Sequence, residues 1–131
     1  MSNPKYNRIL IVDDNRINRL LVLRGLKKSP FFKNFTFIEA EDGLDALALL
    51  NKHNNEFDLI LLDVDMPKMD GVEFLSKRFV DSKISQIPVI VITTDDARKK
   101  DVLALGIKEE DFIVKPYPIN FLIEKVESML S

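Results

Sequence analysis

The chain has 131 residues, 46% hydrophobic and 31% charged, with a formal net charge of −2. That length suits one domain with a sizeable core, and the slight acidity argues against bulk electrostatic attraction to nucleic acid. The absence of cysteine excludes a disulfide framework, a zinc–thiolate site and a thiol nucleophile. Met1 to Asn7 lack the apolar core of a signal peptide, and the longest apolar blocks fall far short of a membrane span. The expectation is a soluble cytoplasmic protein with residues 1–131 as a single domain.

In chain order, short apolar blocks rich in branched residues alternate with amphipathic stretches. Residues 8–12 (Arg-Ile-Leu-Ile-Val) form the first block. Ile17, Leu20 and Leu21, with Arg24 and Gly25, mark a helix after it, Leu21 and Arg24 dividing its apolar and polar faces. Residues 29–34 read as a surface connection carrying Phe31 and Phe32, ahead of a second block at 35–38. Asp42 stands where an N-cap belongs, before a helix with Leu44, Leu47, Ala48 and Leu50 as its apolar positions. The third block, 58–62, precedes a helix opened by Asp70 and marked by Val72, Phe74, Leu75 and Phe79. The fourth, 89–92, is followed by a very polar helix over 97–105. After the fifth, 111–114, comes the best stripe in the chain: Ile119, Leu122, Ile123, Val126, Met129 and Leu130. Pro118 suits the start of that helix because no donor is needed there.

Short continuous apolar runs suit strands buried on both faces. Five strand–helix units predict a parallel sheet covered on both sides, each crossover right-handed. The expected fold is α/β, a flavodoxin-like doubly wound (βα)5 three-layer sandwich with strand order 2-1-3-4-5.

In open α/β sheets, ligands bind at the carboxyl ends of the strands. The residues just past the blocks are Asp13 and Asp14, Asp63, Thr93 and Thr94, and Lys115-Pro116. A single Asp at a strand end is ordinarily a turn former or helix cap. Three carboxylates at one edge repel one another and have to protonate or hold a cation. Lys115 brings one positive charge, and a divalent ion brings the sum near neutrality. Mg2+ fits these oxygen donors best, because it keeps waters that a phosphoryl group can displace; no nearby His or Cys favours zinc. One carboxylate can then attack phosphorus and form an aspartyl phosphate, with metal and ammonium stabilising the oxygens of the transferring group.

Six segments carry a resemblance: 9–15 (Ile-Leu-Ile-Val-Asp-Asp-Asn), 41–46 (Glu-Asp-Gly-Leu-Asp-Ala), 58–63 (Asp-Leu-Ile-Leu-Leu-Asp), 66–71 (Met-Pro-Lys-Met-Asp-Gly), 88–93 (Pro-Val-Ile-Val-Ile-Thr) and 111–116 (Asp-Phe-Ile-Val-Lys-Pro). Together they closely resemble the receiver domains of response regulators, of the chemotaxis-regulator-like kind, in two-component and phosphorelay signalling. The likeness spans nearly the whole chain in the family's order. It implies Asp63 as the phosphoacceptor, Asp14 as a direct Mg2+ ligand and Asp13 as holder of a metal-bound water. Asp63 and the backbone carbonyl of Asp65 complete the implied metal shell. Thr93 is then the switch hydroxyl, Phe112 the aromatic switch, and Lys115 the phosphate-binding lysine, with a cis bond to Pro116.

The resemblance also implies partners. A sensor histidine kinase or histidine phosphotransfer protein donates the phosphoryl group. A downstream protein meets the face of the fourth helix, fifth strand and fifth helix, and phosphorylation-dependent dimerisation is a further option. Neither nucleic acid nor a membrane is expected to bind. Apart from phosphotransfer to its own Asp and slow autodephosphorylation, such a domain is not an enzyme. Three features depart from the family pattern: Thr94 where a small residue is usual, the acidic pair Asp95-Asp96 opening the fourth helix, and a long turn over 106–111. They bear on partner surface and phosphoryl lifetime. Asn15, Asn18 and Arg19 resemble receivers found in hybrid sensor kinases.

Two other functions compete. A haloacid-dehalogenase-like, Mg-dependent phosphohydrolase would use Asp63-Val64-Asp65, Thr93 and Lys115. That family, however, places its nucleophile strand first and a second acidic site after the lysine, and here Asp13-Asp14 come before. A flavin or nucleotide binder shares the fold but wants a Gly-rich or hydroxyl-rich loop after the first strand. Elsewhere, His53 reads as an ordinary surface residue and Lys99-Lys100 as a solvated helix face. Gly71 reads as a position chosen for backbone geometry, and Phe79 and Phe121 as core.

Overall fold

The computed structural model describes residues 4–66, 68–94 and 96–131. In chain order the elements are β1 (Arg8–Val12), α1 (Arg16–Lys28), a 3-10 turn (Pro30–Phe32), β2 (Thr36–Ala40), α2 (Gly43–Lys52), β3 (Leu59–Asp63) and α3 (Gly71–Val80). They continue with β4 (Val89–Thr93), α4 (Lys99–Ala104), a second 3-10 turn (Glu109–Asp111), β5 (Phe112–Val114) and α5 (Ile119–Leu130). The strands pair in parallel, as the alternation of strands and helices predicts, and their order, β2-β1-β3-β4-β5, is the one expected of a flavodoxin-like fold.

Alternate strand residues feed two cores, because successive side chains point to opposite faces. Leu10, Val12, Ile60, Leu62, Val89 and Val91 pack with Ala46 and Leu50 of α2, Phe74 and Leu75 of α3, and Val102 of α4. Ile9, Ile11, Leu59, Leu61, Ile90 and Ile92 pack with Val22, Leu23 and Leu26 of α1 and Leu122, Ile123 and Val126 of α5. Each such large side chain contributes about 1.5–3 kcal/mol on burial. Asp42 and Asp70 cap α2 and α3 as expected, accepting from the amides of Asp45 and Glu73. No helix among the described residues is long and apolar enough to cross a membrane.

Several expectations need correction. β2 and β3 each sit toward the C-terminal side of their expected blocks, and α4 is shorter than residues 97–105. The helix starts only after Arg98, which offers no side-chain cap. Asp95 lies outside the described residues, as does Pro67. On α1, Ile17, Leu20 and Leu21 are exposed, and Arg19, Val22, Leu23 and Leu26 form the buried face. Leu44 is likewise exposed, and so are Phe79 and Phe121, which read as core. The 29–34 connection is more than a surface loop: Phe32 is buried, and its ring meets Phe31 and Phe35 edge-on, at 4.9 and 5.0 Å.

Candidate functional site

Strand register decides which side chains meet. Val12 pairs with Leu62, so Asp13 and Asp63, one residue on, end adjacent strands at the same level. Asp63 pairs with Ile92, which Thr93 follows. Thr93 in turn pairs with Val114, and Lys115 comes next, its amide donating to the Thr93 carbonyl at 2.7 Å. The sheet therefore delivers Asp13, Asp63, Thr93 and Lys115 to one edge. The Lys115–Pro116 bond is cis, as the resemblance implies.

Carboxylate oxygens of Asp13, Asp14 and Asp63 lie within 4.8 Å of one another. The Lys115 Nζ stands 3.7 Å from Asp13 Oδ2. Asp63 is only 7% exposed, and its Oδ1 accepts from the Asp65 amide at 3.2 Å. Burial, and next the negative charge of Asp13, push the Asp63 carboxyl up to about 7, while Lys115 and the Asp65 amide pull it down. A carboxyl so placed lacks positive charge, which a proton or a cation can supply. The donors are all oxygen, three of them carboxylates beside the Lys115 ammonium, and they fit a hard divalent metal. Nearby, burial and then Asp13 raise the phenol of Tyr117 above its ordinary value. A cavity of about 810 Å³ runs from Asp13, Asp63 and Lys115 inward between α1 and α5.

Two expected switch residues stand apart from this cluster. Thr93, 2% exposed, brings its hydroxyl to 3.3 Å from Asp65 Oδ2, not to Asp63. Phe112 opens β5 half-buried, with the Lys99 ammonium 5.7 Å from its ring centre. Lys99 is thus no plain solvated residue: its Nζ also pairs with Glu109 at 2.8 Å. Lys125 pairs with Asp111 at 2.9 Å, so the long acidic turn ties α4 and α5 to either side of β5.

Sequence reasoning missed the role of Arg19. Its Nη1 donates to the Asp13 carbonyl at 2.6 Å and its Nε to Glu39 at 2.9 Å, which fixes the backbone under Asp13 from inside α1. An arginine aligned with Val22, Leu23 and Leu26 was the available signal. The reading of Gly71 also changes. A Cβ there would stand 2.5 Å from Val64 Cα, so close approach, not unusual backbone angles, excludes a side chain.

The family model of the response regulator receiver domain matches residues 9–127. Chemotaxis protein CheY-3 of Vibrio cholerae is 34% identical over 125 residues, covering 95% of this chain and 92% of that protein. Response regulator MprA of Mycobacterium sp. (strain KMS) is 33% identical over 123 residues, 94% of this chain and 50% of MprA. The chain thus spans half the length of that relative. Among solved structures, the CheX-CheY-BeF3-Mg+2 complex from Borrelia burgdorferi matches at 30% identity with a TM-score of 0.76, over 95% of this chain and 89% of that one. The family match and the strand order set the phosphohydrolase reading aside.

Proposed function

The chain belongs to the response regulator receiver domain family, the CheY-like phosphoacceptors of two-component signalling, and on that premise we propose that residues 1–131 form one receiver domain phosphorylated on Asp63 with Mg2+. The observation that carries the assignment is the meeting of Asp13, Asp14 and Asp63 oxygens within 4.8 Å, beside Lys115. In the proposed reaction, an Asp63 oxygen forms the new O–P bond as the P–N bond to a donor histidine breaks. The bonding pair leaves with the imidazole, which takes a proton from solvent. Lys115 stabilises the phosphoryl oxygens, and Arg19 holds the Asp13 backbone still while charge is redistributed. Asp14 and Asp63, the Asp65 carbonyl, and Asp13 through a water would hold Mg2+, which when bound neutralises charge on the transferring group.

The donor is a sensor histidine kinase or a histidine phosphotransfer protein. The exposed Ile17, Leu20 and Leu21 of α1 lie on the helix that follows Asp13 and Asp14, and give such a donor an apolar surface near the nucleophile. The target is a protein that meets α4, β5 and α5, and the setting is cytoplasmic.

Asp14 is expected to matter more for the metal than Asp13, because it ligates directly. Asp13→Ala, which acts through a water, should weaken Mg2+ binding about 10-fold and Asp14→Ala more, as read by Mg2+ titration. Wild-type affinity in both variants removes the metal site. Phosphorylation of the domain is expected to rearrange α4, β5 and α5. Beryllofluoride should shift backbone NMR signals from Asp63 through Thr93 to Phe112 and α4, and Thr93→Ala should confine them to the pocket. Wild-type changes confined to the pocket, or equal propagation in Thr93→Ala, would refute this route.

A further inference from the structure

Thr93 is almost wholly buried, so its hydroxyl needs a partner. The Thr93 Oγ1 stands 3.3 Å from Asp65 Oδ2, and the Thr94 Oγ1 stands 3.5 Å from the same oxygen. One carboxylate oxygen therefore gathers both hydroxyls at the end of β4. The amide of Asp65, meanwhile, donates to Asp63 Oδ1. This residue joins the nucleophile to the switch hydroxyl, its backbone bonded to one and its side chain to the other.

We propose that the Asp65 carboxylate is a latch that holds Thr93 in its resting position, and that phosphorylation acts by drawing the hydroxyl away from it. The inference rests on the assignment of Asp63 as phosphoacceptor. A threonine hydroxyl has one proton to donate, so Thr93 cannot serve Asp65 and a phosphoryl oxygen together. The phosphoryl group carries more charge than one carboxylate and offers strong acceptor oxygens, so it wins the proton. Thr94 remains beside Asp65 when Thr93 leaves. The Asp65 carboxylate is exposed, so Thr94 and water serve it, and the latch can open and reclose without stranding a polar group. Asp65 is a positioning residue: it acts through Thr93 and sets the balance between two pre-existing states.

Two variants separate hydrogen bond from charge. Asp65→Ala removes both; Asp65→Asn removes the charge and keeps a carbonyl acceptor. The Thr93 side-chain rotamer, read from its methyl shift and three-bond couplings in metal-free protein, reports the latch with no phosphoryl group present. The wild type and Asp65→Asn should share one rotamer, and Asp65→Ala should average among several. With Mg2+ present, beryllofluoride should bind Asp65→Ala about fivefold more tightly than Asp65→Asn, the worth of one net hydrogen bond. An unchanged Thr93 rotamer in Asp65→Ala overturns the latch. So does an Asn variant as loosened as the Ala variant, or equal beryllofluoride affinities in the two. Failure of the wild type itself to bind beryllofluoride overturns the phosphoacceptor assignment instead, and the metal-free rotamers still decide the latch.

Discussion

Asp63→Asn protein is expected to gain no phosphoryl group from acetyl phosphate and Mg2+, where the wild type gains one, and to melt higher than the wild type in metal-free buffer at pH 8. The first effect follows from chemistry: an amide oxygen is a far poorer nucleophile than a carboxylate, and it withdraws a charge from the metal shell. The second follows from proton linkage. Burial, and next Asp13, push the Asp63 carboxyl up to about 7 in the folded chain, against an ordinary 3.8. Between those values the native state holds a proton that the unfolded state has released, so stability falls as pH rises through the window. Above pH 7 the full penalty is present, on the order of a few kcal/mol. Asparagine removes it. The melting difference should therefore be small near pH 4 and open steadily toward pH 8. Added Mg2+ reverses the order, because a cation favours the ionised form and the wild type alone has that carboxylate. Intact mass and thermal melts across pH check both halves. Equal phosphoryl uptake in Asp63→Asn would falsify the nucleophile, and a pH-independent melting difference would refute the account of its burial.

The strand ends were legible in the sequence because each follows a short apolar run, and parallel topology then leaves little choice of edge. Asp13, Asp63, Thr93 and Lys115 follow from that ground alone. Helix faces were less legible. α1 carries apolar residues at 17, 20, 21, 22, 23 and 26, enough for two stripes, and periodicity alone does not say which one meets the sheet. What excludes the Ile17 and Leu21 stripe is Arg19, whose buried guanidinium finds the Asp13 carbonyl and Glu39. Both partners come from other elements and exist only once β1 and β2 are paired. Phe79 was misread for a related reason. It extends the stripe of Phe74 and Leu75, but it falls in the last turn of α3, beyond the sheet, where it lies along Gly106. The pairing of Thr93 with Asp65 was equally out of reach, since a side-chain hydrogen bond across neighbouring loops leaves no periodic trace.

The metal shell depends on backbone as much as on carboxylates, and this is the basis of the second large effect. Gly71→Ala is expected to destabilise the fold by about 2–4 kcal/mol and to weaken Mg2+ binding about tenfold. A Cβ at this position would stand 2.5 Å from Val64 Cα and 2.9 Å from the Asp63 carbonyl oxygen. Both neighbours are backbone, and neither can rotate aside. The Gly71 amide also donates to the Val64 carbonyl at 2.7 Å, so the start of α3 rests directly on the chain that leaves Asp63. Relief requires either tilting α3, which lifts Phe74 and Leu75 from the core, or displacing the turn that carries the Asp65 amide and carbonyl. The first route costs stability, and the second costs the site. Gly25→Ala is the matched control. Its Cβ would meet only side-chain carbons, Ile119 Cγ1 at 3.0 Å and Ile123 Cδ1 at 3.2 Å, and alanine gains up to about 1 kcal/mol of helix propensity in compensation. Urea denaturation of both variants, with Mg2+ titrations under native conditions, separates the two cases. If Gly71→Ala unfolds and binds Mg2+ no differently from Gly25→Ala, α3 does not brace the phosphorylation loop.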